Sequence, residues 1–322
     1  GGMTAAVVVG DRVMWAEGFG WSDVEKREGV RPETRFRTGA ISMPLTSTAV
    51  GLLLERDLLR LDAEIQTYVP DFPKKQWPVT LRQLMAHVAG IRSDAGDEEP
   101  LSLRCDRTTD GLRRFAEASL RFEPGTQYRF TTYGWILVSA AVDAAAHEPF
   151  FRFMRSQVLE PLGMDDTVPD LWTEQIPNRA TFYHPRFAGD SKYGPELARE
   201  GGYSCFAGAS GFLSTPSDLV RFGLATMAGK LVQPATLKTL QTSQKLASGA
   251  EIGYGLGWDL EAASLAGEDS SWVGHDGEFF LGGSGSFLTF PKQGLVVAMM
   301  TNSAFVDVTS LASKVAQSFR RP

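Results

Sequence analysis

The stretch FRTGAISMPLTSTAV, residues 36–50, leads into an apolar pattern that predicts a helix over residues 40–60. The apolar face of this helix carries Ile41, Leu45 and Leu52. Pro44 has no backbone N–H and is tolerated in the first turn of a helix, so the helix begins just before it. Ala40 and Met43 therefore lie near the helix start, one turn apart and on one face.

The bulk composition is that of an ordinary globular protein. The chain has 322 residues, of which 43% are hydrophobic and 22% charged, and its net charge is −6. This length can bury a substantial core, in one large domain or two closely packed ones. The negative charge argues against nucleic-acid binding, and no apolar run approaches the roughly 18 residues that span a membrane. The start of the sequence has no basic leader, so we predict a cytoplasmic protein without a signal peptide.

Cys105 and Cys205 have no metal-binding spacing, and we expect reduced thiols in an intracellular protein, with one disulfide as the alternative. No set of His, Asp and Glu residues has the spacing of metal ligands, and the glycines form no phosphate loop. The sequence therefore predicts neither a metal site nor a cofactor.

Strand patterns occur at both ends of the chain, and helical patterns lie between them. A hairpin is predicted over residues 5–9 and 13–18, and later strands over 255–260, 271–274, 285–290 and 295–301. Helices are predicted over 80–89, 134–146, 150–159, 219–228 and 306–319, and residues 169–201 are predicted to form a surface excursion. This order favours an α/β domain of residues 1–60 and 205–322, with a mostly helical domain of residues 61–204 inserted and a cleft between the two.

Several runs along the chain share a pattern with one enzyme family. They are LRQLMAHVAG at 81–90, FEPG at 122–125, the run at 208–219, and YGLGW at 254–258. Together with residues 36–50 they resemble the serine β-lactamases and penicillin-binding proteins, including the class C enzymes, related esterases and the mitochondrial β-lactamase-like branch. The resemblance implies an antiparallel sheet flanked by helices, with an inserted helical part and an active site between them.

The reactive residues of that family are substituted in this chain. The family uses a Ser-x-x-Lys run at the start of the first long helix and a tyrosine that moves protons. On the resemblance, the serine position falls on Ala40, the lysine position on Met43, and the tyrosine position on Phe130. The lysine position of a later motif falls on Phe206. Ser42 is no replacement, because it has no lysine three residues on and points about 200° around the helix from Ala40.

The family's Lys/His-Thr-Gly run corresponds to residues 274–277, which keep His275 but place Asp276 at the threonine position. Apolar replacements predict a dry cleft floor, which would raise the pKa of a facing carboxylate and strengthen it as a base. Asp276 and Glu278 are the candidate carboxylates, and they share one strand face while His275 points to the other. The plain alternatives are a rim residue for Asp276, a solvated carboxylate for Glu278 and a structural histidine for His275.

The predicted site therefore has two sets of residues. Its catalytic residues are Asp276, Glu278 and His275, and its substrate-binding residues are Ala40, Met43, Phe130, Tyr133, Phe206, Phe279 and Phe280. For Tyr133 the alternative is a helix-packing aromatic, and His87 is predicted to be structural.

Three functions fit these residues. The first, which we favour, is a repurposed acid/base enzyme that performs an elimination, isomerisation or cyclisation on a small hydrophobic or aromatic substrate. The second is an esterase or β-lactamase-type hydrolase disabled at its centre, by descent or by engineering. The third is a binding or scaffold protein without catalysis. The oligomeric state is not predicted.

Overall fold

The computed structural model describes residues 1–93, 105–188, 190–278 and 282–319. At residues 188, 191 and 278 it describes the backbone but not the side chain. The predicted substrate-binding residues Phe279 and Phe280 lie outside the described residues, and so does the side chain of Glu278.

A sheet built from both ends of the chain is the centre of the fold. The strands are β1 (Gly2–Val9), β2 (Arg12–Asp23), β3 (Glu28–Gly29), β4 (Phe36–Arg37), β5 (Val168–Pro169), β6 (Tyr183–Pro185), β7 (Pro195–Leu197), β8 (Phe212–Ser214), β9 (Asp259–Leu265), β10 (Glu268–Glu278), β11 (Ser284–Phe290) and β12 (Leu295–Thr301). In the described residues, seven antiparallel strands form one sheet in the order β3-β2-β1-β12-β11-β10-β9. Strands β4, β8 and β5 form a small second sheet, and β6 pairs with β7.

The described residues contain seven α-helices, three of which begin at a capping side chain. They are α1 (Ser42–Glu55), α2 (Leu81–Met85), α3 (Thr132–Ala146), α4 (Phe150–Met154), α5 (Pro216–Met227), α6 (Pro234–Leu240) and α7 (Val308–Ser318). Thr80 and Gln83 form a capping box at α2, Thr215 caps α5 ahead of Pro216, and Asp307 caps α7. A 3-10 turn, Gly39–Ile41, precedes α1.

The sheet buries both of its faces, so its strands have two distinct sets of neighbours. In β12, Leu295, Val297 and Met299 belong to a core with Val308 and Ala312 of α7. The alternate residues Val296, Ala298 and Met300 belong to the larger core that contains α1, α3 and α5. Because side chains alternate along a strand, each residue of β10 can be assigned to one of these two faces.

The predicted antiparallel sheet with flanking helices is confirmed, whereas some element bounds differ. The strand predicted over 255–260 is confirmed only at residues 259–260, where β9 begins. Residues 255–258 form a tight turn, in which Gly257 has a φ of 90° and the Gly255 N–H donates to the Trp258 carbonyl. Helix α1 ends at Glu55 because Asp57 adopts a left-handed conformation, and the Leu58 N–H then closes the helix on the Leu53 carbonyl. The excursion at 169–201 contains the β6–β7 hairpin. The division into two domains stays a prediction.

The prediction of reduced cysteines is wrong, because Cys105 and Cys205 form a disulfide with a Cα–Cα distance of 5.3 Å. The 3-10 segments Ser204–Ala209 and Thr108–Arg114 both pack on α3 and on each other, which brings the two sulfurs together. The sequence did not reveal the pairing, since the cysteines are 100 residues apart. Disulfides of this kind persist in oxidising compartments, and the cytoplasmic location stays a prediction.

Among the helices of the described residues, none has the length and hydropathy required to cross a bilayer.

Candidate functional site

The start of α1 is held in place by its own polar side chains. The Thr38 hydroxyl donates to the Phe212 carbonyl at 3.0 Å, so in its 2.7 Å contact with Ser42 the serine hydroxyl is the donor. Ser42 is fully buried, which makes it a tucked polar residue. Ala40 is half-buried on the preceding turn, and Met43 is fully buried.

Strand β10 lies directly against this helix start. A Cβ atom on Gly277 would lie 2.2 Å from the Thr38 carbonyl oxygen, so a residue without a side chain is required at this contact. The close approach places His275, two residues earlier, beside the helix start that carries Ala40 and Met43.

His275 and Asp276 lie on opposite faces of the sheet, as the strand alternation predicts. His275 is 2% exposed and pairs across the strands with Phe287, which belongs to the larger core. Asp276 pairs with Ser286, whose hydroxyl bonds to Thr309 of α7. The side chain of Asp276 is 61% exposed, and it lines a groove of about 240 Å³ beside α7. The Asp276 side chain therefore leaves the strand on the face away from the larger core, although its carboxylate still lies 3.5 Å from His275 Nδ1.

The predicted rise in the pKa of Asp276 is wrong. The His275 imidazole, whose Nδ1 is 3.5 Å from the Asp276 carboxylate, lowers the pKa of this group below its ordinary value, and this effect exceeds the opposing effect of burial. The dry environment that the prediction assumed is on the other face of the sheet. Asp276 is consequently a weaker base than a free aspartate.

Three buried polar side chains meet beside Met43 at the start of α1. The Tyr254 hydroxyl lies 2.8 Å from His275 Nε2, 3.2 Å from His87 Nε2 and 3.8 Å from the sulfur of Met43. His87 and Tyr254 are 1% and 3% exposed. Burial raises the pKa of Tyr254 well above its ordinary value and lowers the pKa of His87 well below its own. At neutral pH both groups are therefore uncharged.

Two aromatic rings cover this polar cluster. The Phe130 ring packs on His87 with centroids 4.4 Å apart and on His275 at 6.1 Å, and the Tyr128 ring lies 5.9 Å from that of Tyr254. Phe130 and Tyr128 are 39% and 40% exposed, so they form the surface through which a small molecule would approach the cluster. Burial raises the pKa of Tyr128 to about 12, and it too stays protonated.

Two predicted substrate-binding residues do not reach this surface. Tyr133 is fully buried and stacks between Phe115 and Phe206, at centroid distances of 5.0 and 6.4 Å. Phe206 is also buried. Both rings support the site from the core, and the helix-packing alternative describes Tyr133 correctly. In the described residues, no three His, Cys, Asp or Glu side chains are grouped as a metal would require.

Tyr254 and the role of His87 were missed from the sequence. Both residues lie in runs that carry the family resemblance, YGLGW and LRQLMAHVAG, but nothing in their spacing indicates a contact between side chains 167 positions apart. One signal is visible in the backbone, because His87 has a φ of 60°, which is an uncommon conformation. The Arg129 N–H donates to the His87 carbonyl at 2.8 Å and helps to hold this conformation.

An antiparallel sheet with a buried helix start facing its strand β10 defines a scaffold of the β-lactamase and penicillin-binding type. The chain belongs to the beta-lactamase family, whose model matches residues 1–317. It is 25% identical to the mitochondrial serine beta-lactamase-like protein LACTB of Mus musculus, covering 99% of this chain and 77% of that protein. It is 26% identical to the esterase EstB of Burkholderia gladioli, over 94% and 86%. The structure of the octameric penicillin-binding protein homologue from Pyrococcus abyssi has the same fold, with a TM-score of 0.79, 21% identity and coverage of 98% and 72%.

Proposed function

We propose that this protein performs acid–base chemistry on a small hydrophobic or aromatic substrate, without an acyl-enzyme intermediate. The observation that carries the proposal is the placement of His275. Its imidazole is buried beside the helix start of Ala40 and Met43, with a hydroxyl on one nitrogen and the Asp276 backbone carbonyl, at 2.7 Å, on the other.

The residues divide into a proton-transfer group and an apolar surround. His275 accepts the proton, because a neutral imidazole has one basic nitrogen and can act as a general base. Asp276 stabilises the resulting imidazolium through its carbonyl oxygen and its carboxylate. Ala40, Met43 and Phe130 supply the apolar walls, which fit an elimination, isomerisation or cyclisation better than acyl transfer. Glu278 at the end of β10 keeps its proposed role as a second carboxylate.

The test uses 5-nitrobenzisoxazole, an aromatic probe whose ring opens when a base removes its C–H proton. We expect the wild-type protein to open it and His275→Gln to lower kcat/KM by about tenfold or more, since positioned acid–base groups contribute at least that much. His184→Gln is the matched control, because His184 is on β6 and its ring bonds to the adjacent Pro185 carbonyl. Equal rates for His275→Gln and wild type would refute the assignment of His275. Unchanged rates in both Asp276→Asn and Glu278→Gln would remove the carboxylate roles.

A disabled hydrolase is the second candidate, and one observation favours it. The hydrogen bonds of Thr38 and Ser42 and the close contact at Gly277 hold the helix start firmly against β10, as a nucleophile placed on it would require. Under this alternative, Ala40→Ser combined with Met43→Lys and Phe130→Tyr restores labelling by a fluorophosphonate and hydrolysis of nitrocefin. A folded triple variant that is inert to both reagents contradicts this alternative, whereas labelling of the unmodified protein contradicts the first proposal.

A further inference from the structure

The protons of the buried cluster can be placed from its hydrogen-bond partners. The Thr131 backbone N–H donates to His87 Nδ1 at 3.2 Å, and a backbone N–H is always a donor, so this nitrogen carries no proton. His87 is neutral because burial lowers its pKa, and its single proton is therefore on Nε2. That N–H faces the Tyr254 oxygen at 3.2 Å and donates to it.

At the other end of the cluster, the partners of His275 determine the direction of its hydrogen bond to Tyr254. His275 Nδ1 is 2.7 Å from the Asp276 backbone oxygen, which can only accept, so Nδ1 carries a proton. In the neutral imidazole, Nε2 then has a free electron pair, and it accepts the Tyr254 hydroxyl proton at 2.8 Å. The result is a one-way chain of donors from His87 through Tyr254 to His275.

This chain determines how a proton can reach the imidazole. Both nitrogens of His275 are occupied within the described residues, one by the Asp276 carbonyl and the other by Tyr254. The Tyr254 oxygen accepts one bond from His87 and donates one, which leaves it a second electron pair. The weakly interacting sulfur of Met43 is 3.8 Å from this oxygen.

We propose that Tyr254 is the catalytic relay of this site and that His87 is its positioning residue. The substrate's acidic C–H or O–H gives its proton to the Tyr254 oxygen while the Tyr254 hydroxyl proton moves to His275 Nε2. The electron pair of the broken bond stays on the substrate, the tyrosine ends neutral, and His275 ends as an imidazolium. His275 therefore receives its proton from Tyr254 and not directly from the substrate. This inference rests on the proposed acid–base function for its chemistry, but the arrangement of donors can be measured independently of that function.

Imidazole nitrogen signals in protein labelled with ¹⁵N-histidine give the direct test. The chain has four histidines, which can be assigned by single His→Gln variants. We expect His87 to carry its proton on Nε2 and His275 on Nδ1 in the wild-type protein near neutral pH. In Tyr254→Phe, His275 Nε2 no longer receives a hydrogen bond from the tyrosine hydroxyl. Its signal should therefore move towards that of an unprotonated imidazole nitrogen without a hydrogen bond. A wild-type His275 protonated on Nε2 instead of Nδ1 would reverse the chain and overturn the relay.

Rates on 5-nitrobenzisoxazole give the second readout. Tyr254→Phe keeps the ring and removes the hydroxyl, and we expect it to lose about tenfold or more of the His275-dependent rate. Tyr183→Phe is the matched control, because Tyr183 is equally buried and its hydroxyl bonds to Val24 and Glu25 away from the cluster. The pH profile of the remaining rate should also change, which a purely structural tyrosine would not cause.

The outcomes separate the two proposals. A His275-dependent rate that survives in Tyr254→Phe overturns the relay and leaves the proposed function standing. A wild-type protein with the expected protonation but without a His275-dependent rate overturns the proposed function, and the nitrogen signals then support the donor chain alone.

Discussion

At the scale of single residues, Tyr254 is the centre of the buried polar cluster. Its hydroxyl lies between two imidazoles and is 3.8 Å from the sulfur of Met43. Buried polar groups are costly unless they are hydrogen-bonded, and here each of them has a partner. A residue change that removes one member therefore leaves another unpaired.

Asp218 provides a residue-scale prediction about stability and pH. Its carboxylate accepts hydrogen bonds from the Asp166 N–H at 3.0 Å and the Thr167 hydroxyl at 2.7 Å, and burial raises its pKa to about 6 from 3.8. The folded protein therefore binds this proton more readily than the unfolded chain, so its free energy of unfolding falls as pH rises from about 4 to 6. Asp218→Asn should remove this part of the pH dependence, on the order of 2 kcal/mol.

Urea unfolding between pH 4 and 7 measures this effect. Asp165→Asn, at an exposed neighbour, is the control and should follow the wild-type curve. A variant Asp218→Asn whose stability changes with pH as steeply as that of the wild type contradicts the raised pKa.

At the scale of elements, the sequence predicted those that carry a local signal. Strand β12 was predicted with its observed bounds, and helices α3, α5 and α7 to within three residues, because periodic apolar residues and, for α5 and α7, caps are encoded locally. The turn at 254–258 was mistaken for a strand because its apolar residues face the core in a turn as they would in a strand. Contacts between elements, such as His87 with Tyr254, depend on packing and were not predictable from spacing.

The contact between β10 and the helix start gives a prediction at this scale. Gly277→Ala places a methyl group 2.2 Å from the Thr38 carbonyl, a backbone atom that cannot turn aside. Overpacking of this kind typically costs 1–3 kcal/mol, so we expect the free energy of unfolding to fall by about that amount. Gly29→Ala on β3 is the control, because the nearest atom to its new methyl group would be 4.0 Å away. Equal stability of the two variants would show that β10 can move away from residue 38.

At the scale of the whole molecule, the site depends on segments from distant parts of the chain. Met43 comes from the first helix, His87 from the end of α2, and Tyr254 and His275 from the region around β9 and β10. The family resemblance predicted that Met43 and His275 lie at one cleft, but it did not predict that His87 and Tyr254 join them. It did not predict the sheet face of Asp276 in relation to that cleft, which follows from the register of β10 with β11.

The disulfide between Cys105 and Cys205 gives the prediction for the molecule as a whole. It closes a segment of 100 residues that includes α3 and α4, and cross-linking a long segment limits the freedom of the unfolded chain. Replacing both cysteines by serine should therefore lower the free energy of unfolding by about 2–4 kcal/mol. Urea unfolding with and without dithiothreitol measures this, and the reduced wild type should unfold at the same urea concentration as the double variant.

The loss of the disulfide should also raise hydrogen exchange in the segment Ser204–Ala209, because Cys205 directly precedes Phe206, which packs on Tyr133 behind the site. An unchanged urea midpoint in the double variant would mean that packing on α3 alone holds these two segments together.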